Sequence, residues 1–304
     1  MSMLPLLAVV GPTAVGKSAF AMRLAEELGG EIVSADSRQV YRHMDIGTAK
    51  PPPGDRARIP HHLVDILDPD GDFSLALFLR LANQAIGGIQ AHGRVPVVVG
   101  GTGQYAIALL ERWDVPEVAP DTTLRQRLEQ CARDEGPDTL YSELARLDPD
   151  AAKRIDPRNV RRVIRALEVL ESGQKPSARP SAAKPFDALV IGLTLPRAEL
   201  YARIDARVDA MIAAGWVQEV ESLLRMGHGP ELPSMSSLGY GELVRHLQGD
   251  WPLAEAVAKI KTRTHRFARQ QYAWFRLTDK RICWYEARED GVNTAFAEAK
   301  RWRG

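Results

Sequence analysis

The stretch LLAVVGPTAVGKSAFAMRLAEELGGEIVSAD, residues 6–36, decides the fold. It opens on five apolar residues, Leu6 to Val10, without alternation, which is the pattern of a parallel strand covered on both faces. Gly11, Pro12, Thr13, Ala14, Val15, Gly16, Lys17 and Ser18 follow directly and fit G-x-x-x-x-G-K-[ST] at every fixed position. Such a loop turns backbone N–H groups onto phosphate oxygens, and the helix that begins near Ser18 adds the positive end of its dipole. Lys17 supplies a point charge, and the Ser18 hydroxyl is the candidate ligand for Mg²⁺. Phe20, Leu24 and Leu28 recur at helical spacing until Gly29 and Gly30 stop the helix. With a strand before it and a helix after it, the loop reads as a site for a pyrophosphate-bearing small molecule with a divalent metal.

A second strand, Glu31 to Ala35, brings Asp36 to its carboxyl end, where open α/β sheets place their ligand crevice. Residues 36–53, DSRQVYRHMDIGTAKPPP, are too polar and irregular to read as core, and a surface connection is the plain alternative to a functional segment. His61 and His62 lack a third group at ligand spacing, so local hydrogen bonding is expected. Ser74 can cap a helix with Phe78, Leu79, Ala82 and Ile86 on one face. Val95 to Val99 is another buried strand and opens into Gly100, Gly101, Thr102 and Gly103. It does not end in the acidic residue by which motor ATPases and GTPases hold a metal-bound water. A transferase that grips its donor's phosphates is therefore favoured, and a small-molecule kinase stays open.

At 304 residues, 45% hydrophobic and 26% charged, the composition is that of a globular chain. The formal net charge of +1 means that any affinity for a polyanion must come from charge gathered locally. Cys131 and Cys283 are far apart without CxxC spacing, so neither a disulfide framework nor a zinc site is expected, and both read as small buried hydrophobes. No apolar run reaches the roughly 18 residues of a membrane span and the N-terminus lacks a signal-peptide layout, so a cytoplasmic protein is expected.

From Pro116 to about Pro185 the periodicity is helical, without a strand pattern. One helix from Asp121 carries Leu124, Leu128 and Cys131, and another carries Leu140, Leu144 and Leu147. Asn159 to Leu170 buries Val160, Val163, Ile164 and Leu167 and projects Arg161, Arg162 and Arg165. Between Lys153 and Arg179 eight basic residues face three acidic ones, although a solvated helix face would look the same. A strand at Leu189 to Leu195 resumes the sheet, which makes the helical stretch an insertion. Arg197 to Ala214 then turns Leu200, Ile204, Val208 and Met211 inward and leaves Arg203 and Arg207 to a ligand. Gly227 to Gly239 has the composition of a lid. A long helix, Leu253 to Phe275, puts Ala256, Ile260, Phe267 and Trp274 on one side and Lys259, Arg263 and Arg266 on another. Eight basic residues against two acidic ones between Glu255 and Arg281, interleaved with aromatics, suit a nucleic-acid backbone and an unstacked base, while aromatics at helical spacing also suit a core.

The strings GPTAVGKS (11–18), DSRQVYRHMDIGTAKP (36–51), PHHLVDILDP (60–69), VGGTGQY (99–105), RRVIRALEV (161–169) and LGY (238–240), in this order, resemble the tRNA dimethylallyltransferase family, also called tRNA isopentenyltransferases. The likeness spans nearly the whole chain. It implies a P-loop NTPase-like α/β core with a parallel sheet flanked by helices, over 1–115 and 187–304, and an inserted all-helical, tRNA-gripping domain over 116–186. It further implies transfer of a dimethylallyl group from dimethylallyl pyrophosphate to N6 of the adenosine 3′-adjacent to the anticodon, with Mg²⁺. Asp36, Lys17 and Thr102 are then the catalytic group and Gly11 to Ser18 the donor site, with Thr13 by the donor. Asp36, Ser37, Arg38, Gln39, Thr102, Arg161, Arg162, Val163, Ile164 and Arg165 are the tRNA contacts. Three positions depart from the family's pattern: His43 replaces a usual glycine, Gln104 a frequent apolar residue, and Ser236 a frequent Arg or Gln. Arg203, Arg207 and Lys50 are substitute cations for the pyrophosphate. The absence of a zinc-finger tail implies a bacterial-type enzyme, expected as a monomer. A non-catalytic RNA-binding module is the third reading.

Overall fold

The structure, a computed structural model, describes residues 5–119, 121–176, 179–180 and 186–303. In chain order the elements are β1 (Pro5–Val10), α1 (Lys17–Leu28), β2 (Gly30–Ser34), α2 (Pro53–Arg58), β3 (His61–His62), α3 (Leu75–Ala91), β4 (Val95–Val99) and α4 (Gly103–Leu110). There follow β5 (Trp113–Asp114), α5 (Thr122–Asp134), α6 (Pro137–Leu147), α7 (Pro149–Ala152), α8 (Val160–Glu171) and β6 (Arg179–Pro180). The chain continues with β7 (Asp187–Thr194), α9 (Arg197–Ala213), α10 (Trp216–Arg225), α11 (Tyr240–Leu247), α12 (Leu253–Trp274), β8 (Ile282–Glu286) and α13 (Glu289–Arg303).

Two compact units result, one of Met1–Ser74, Phe78–Leu110 and Lys184–Gly304, the other of Leu75–Leu77 and Glu111–Ala183. The first holds a six-stranded sheet in the order β3-β2-β4-β1-β7-β8, parallel throughout. The unalternated LLAVV run makes sense in this position: β1 lies between β4 and β7, and Leu6 to Val10 are at most 1% exposed. Parallel pairing in this order brings the ends of β1, β2 and β4 to one edge, and the segments that leave them, 11–16, 35–50 and 100–102, form the site.

Residues 36–50 are not merely a surface connection. Val40, Tyr41 and Met44 are buried and pack with Trp216, Met235 and Tyr240 in a second core. Glu219 on α10 organises this irregular backbone: its carboxylate accepts from the N–H groups of Asp45 (2.7 Å), Ile46 (2.6 Å) and Gly47 (3.1 Å) and from the Tyr240 hydroxyl (2.7 Å). Burial, and then the neighbouring Glu219 charge, push the Tyr240 phenol well above its usual range, so it remains a proton donor. Gly227 to Gly239 is likewise no free lid, because Ser234, Met235 and Ser237 are buried and Ser234 Oγ donates to the Pro69 carbonyl at 2.6 Å. Cys131 and Cys283 are partly buried free thiols.

The second unit is built on α5, α6 and α8, whose Leu124, Leu128, Leu140, Leu144, Val163, Ile164 and Leu167 make its core. Asp121 Oδ1 caps α5 by accepting from Leu124 N at 2.9 Å, and Asn159 Oδ1 caps α8 by accepting from Arg162 N at 3.3 Å. The unit is not wholly helical, since β5 and β6 pair antiparallel.

Candidate active site

Gly11 leaves β1 at φ 139°, and a side chain there would run into the Leu193 carbonyl of β7, so only glycine turns the chain into the loop at this point. Gly16, at φ 106°, delivers it to the first turn of α1. The Lys17 ammonium folds back across the loop and donates to the Pro12 carbonyl at 2.7 Å. Removal of water from this ammonium, followed by the nearby Arg207 charge, lowers its pKa to about 7 against the pull of Asp36. The residue as a whole keeps some solvent contact, so it is the Nζ end that points inward.

The loop forms one wall of a cavity of about 1060 Å³ in the α/β unit. Asp36 stands on another wall, and its Oδ1 accepts from Arg38 N (2.8 Å) and Gln39 N (3.4 Å), which fixes the carboxylate beside the backbone turn it begins. Thr102 Oγ1 accepts from Ser37 N at 3.1 Å. Gln39 is anchored through Ser34 Oγ at 3.1 Å and the Thr48 and Ala49 carbonyls at 3.2 Å each. Arg38 donates to the Pro233 carbonyl (2.7 Å) and reaches Ser236 Oγ (3.4 Å). The structure thus brings Thr13, Ala14, Lys17, Ser18, Asp36, Ser37, Arg38, Gln39 and Thr102 to one cavity.

The three candidate cations behave differently. Arg207 lines the cavity, and its guanidinium pKa is lowered by burial against the opposing effect of Asp36. Lys50 lines it too, but its ammonium is bound to the Tyr41 carbonyl (2.8 Å), Asp45 (2.5 Å) and Asp65 (2.5 Å), which makes it a structural cation. Arg203 pairs with Glu199 at 3.0 Å and is absent from the lining. Phe267 and Trp274 are also displaced from their expected place. The buried stripe of α12 runs through Ala256, Ile260, Ala268 and Gln271, so the two aromatics flank it, 37% and 39% exposed, in the cavity lining. Sequence reading missed Gln271 altogether: it is 3% exposed and bonded to both glycine-rich loops. Its place three residues after Ala268, on the same helical face, is the signal that could have found it.

The run 161–165 belongs to the helical unit and must be divided. Val163 and Ile164 are 1% and 5% exposed and lie in that unit's core, so their side chains, unlike the expectation, are not presented to RNA. Arg165 serves Glu168 (3.3 Å) and the Val118 carbonyl (2.8 Å), while Arg161 and Arg162 are exposed.

A protein-family model described as IPP transferase matches residues 39–278. The chain belongs to the IPP transferase family. A second model, Isopentenyl transferase, matches residues 4–57 and takes in the phosphate loop. Among relatives, the chain is 55% identical over 276 residues to the tRNA dimethylallyltransferase of Roseiflexus sp. (strain RS-1), covering 90% of each chain. It is 52% identical over 279 residues to that of Herpetosiphon aurantiacus, covering 91% of this chain and 89% of the relative. The solved tRNA isopentenylpyrophosphate transferase of Bacillus halodurans superposes with a TM-score of 0.70 at 36% identity, covering 99% of both chains. A eukaryotic dimethylallyltransferase solved acting on tRNA gives 0.79 at 26% identity, covering 98% of this chain and 77% of that one. The sheet and loop are accordingly the P-loop NTPase-like core of an IPP transferase, and membership sets aside the kinase and the non-catalytic RNA-binding module. Family members are prenyl-pyrophosphate enzymes that use a divalent metal.

The donor set fits such a metal. Among the described residues no group of three His, Cys, Asp or Glu side chains could hold an ion alone, while Ser18 offers an exposed hydroxyl at the cavity. A divalent cation that takes few protein ligands and completes its shell with phosphate oxygens and water would suit this arrangement. Among the described residues no helix is long and apolar enough to cross a membrane.

Proposed function

We propose that this chain transfers the dimethylallyl group of dimethylallyl pyrophosphate to N6 of the adenosine 3′-adjacent to the anticodon of a tRNA, acting in the cytoplasm as a monomer. The observation that carries the proposal is that a phosphate loop and the Asp36 carboxylate line one cavity in a member of the IPP transferase family. The N6 lone pair forms a bond to C1 of the prenyl group as the C1–O bond breaks and pyrophosphate leaves. An exocyclic adenine amine is a weak nucleophile, so its proton must go to a base as the C–N bond forms. Asp36 takes that role. Its Oδ1 is held by two backbone N–H groups, which leaves the other oxygen to receive the proton.

Negative charge grows on the departing pyrophosphate. The loop N–H groups and Lys17 are fixed in advance at that place, and Arg207 completes the cationic wall in place of a residue at Ser236. Mg²⁺, held by Ser18, would supply further neutralisation of the pyrophosphate. The target base has to leave its stack to reach the cavity, and the half-exposed faces of Phe267 and Trp274 suit an unstacked base. Arg161 and Arg162 hold the RNA backbone.

Replacement of Asp36 by Ala tests the assignment. Transfer of a labelled prenyl group to an anticodon stem-loop is expected to fall by about 10²- to 10⁴-fold, the range of a general base. Donor binding is retained. A fully active Asp36→Ala protein removes Asp36 as the base.

A further inference from the structure

Gln271 has no part in the reaction as written, yet both ends of its side-chain amide are engaged at the cavity. Its Oε1 accepts from Thr13 N at 2.8 Å and its Nε2 donates to the Gly101 carbonyl at 2.7 Å. At 3% exposure it has little water to fall back on, and only this amide orientation satisfies both partners. The partners belong to different loops. Thr13 is on the phosphate loop that leaves β1, and Gly101 is on the loop that leaves β4. Beyond Gly101 the connections run on toward the acceptor side, because Thr102 Oγ1 accepts from Ser37 N at 3.1 Å and Asp36 is the residue before Ser37.

We infer that Gln271 is a positioning residue that fixes the spacing between the donor's phosphate loop and the base Asp36 across the cavity. The inference deepens the proposed function and rests on it. Its chemistry is directional. Only a side chain with an acceptor and a donor at its tip, at this reach, can close both bonds from α12. Glutamate keeps the acceptor for Thr13 but sets a carboxylate oxygen against the Gly101 carbonyl. Methionine keeps the volume and makes neither bond. Because α12 also carries Phe267 and Trp274 into the cavity lining, the same glutamine ties the aromatic wall to both loops.

Gln271→Met and Gln271→Glu, compared with the unchanged chain, test this. With dimethylallyl pyrophosphate, Mg²⁺ and an anticodon stem-loop, kcat is expected to fall about 10²-fold in both, as for a misplacement of about 1 Å between reacting groups. KM for donor and RNA should stay within about threefold, since both ends of the Gln271 amide are already taken up by the two loops. Wild-type kcat in Gln271→Met would mean that only the volume matters and would overturn the inference. A donor KM that rises as much as kcat falls would also overturn it. Amide hydrogen exchange, read without substrate, should quicken at 11–18 and at 100–103 together in Gln271→Met. Unchanged exchange at either loop overturns the inference. An unchanged chain that transfers no prenyl group overturns the assigned reaction instead, and the exchange result still decides the role of Gln271. If Gln271→Met does not fold, Gln271→Glu gives the same readouts.

Discussion

Removing the Glu219 carboxylate should unfasten the segment that carries Asp36. Four donors converge on it: Asp45 N, Ile46 N, Gly47 N and the Tyr240 hydroxyl, at 2.6–3.1 Å. Asp45 is exposed and can turn to water, whereas Ile46 and Gly47 are half-buried and Tyr240 is fully buried. Hydrogen bonds to a charged acceptor contribute about 1.5–3 kcal/mol each and are not additive, and an orphaned buried donor costs about 1–3 kcal/mol. Glu219→Gln keeps the size and one acceptor oxygen and should lose about 2 kcal/mol. Glu219→Ala leaves the half-buried donors and Tyr240 without a partner and should lose about 4 kcal/mol, in the range of a broken buried network. For a chain of this size that is a fall of roughly 6 °C in the unfolding midpoint. The two variants are compared by urea unfolding and by hydrogen exchange at residues 45–47. Exchange there should quicken in the order wild type, Gln, Ala, and transfer activity should fall in the same order. A Glu219→Ala protein within about 0.5 kcal/mol of wild type, the range of ordinary surface substitutions, would refute the reasoning.

The division of the run 161–165 predicts opposite phenotypes at adjacent positions. Arg161→Ala should weaken stem-loop binding, lower the salt slope of binding by about one phosphate contact and leave stability unchanged. Val163→Ala, which empties core volume, should destabilise the helical unit by about 1–3 kcal/mol. Equal salt slopes for Arg161→Ala and wild type would count against the contact. His43 sits at φ 64°, a left-handed conformation that costs a non-glycine residue about 1–2 kcal/mol, and a glycine there gives back about 0.5–1 kcal/mol in the unfolded chain. His43→Gly should therefore raise stability by about 0.5–1 kcal/mol in urea unfolding. A loss of stability would show that the exposed imidazole holds something.

The parallel core was legible because its strands carry their own signal. LLAVV and VPVVV are apolar on both faces, and each opens into glycines at the carboxyl edge. The phosphate loop was legible for the same reason, being local in sequence. The edge strands β3 and β8 were not, since His61–His62 is too short to show a period and Ile282–Glu286 is only half-buried. The core hidden in residues 36–50 escaped because Val40, Tyr41 and Met44 stand in a polar, irregular segment that forms neither helix nor strand. What holds them is Glu219, distant in sequence, and no pattern in either segment announces the other. Arg203 and Lys50 misled for a related reason: a cation's availability depends on its partners, Glu199 in one case and Asp45 with Asp65 in the other, which composition does not reveal. Gln271 is the strongest instance, because its meaning lies in two loops 170 and 258 residues away along the chain.

The most direct measurement of the central claim is mass spectrometry of the nucleosides from an anticodon stem-loop after incubation with this protein, Mg²⁺ and dimethylallyl pyrophosphate. The expected result is the mass of one dimethylallyl group on the single adenosine 3′-adjacent to the anticodon, with pyrophosphate released in equal amount and no requirement for ATP. An unmodified adenosine, with the protein instead consuming ATP in the presence of the RNA, would contradict it.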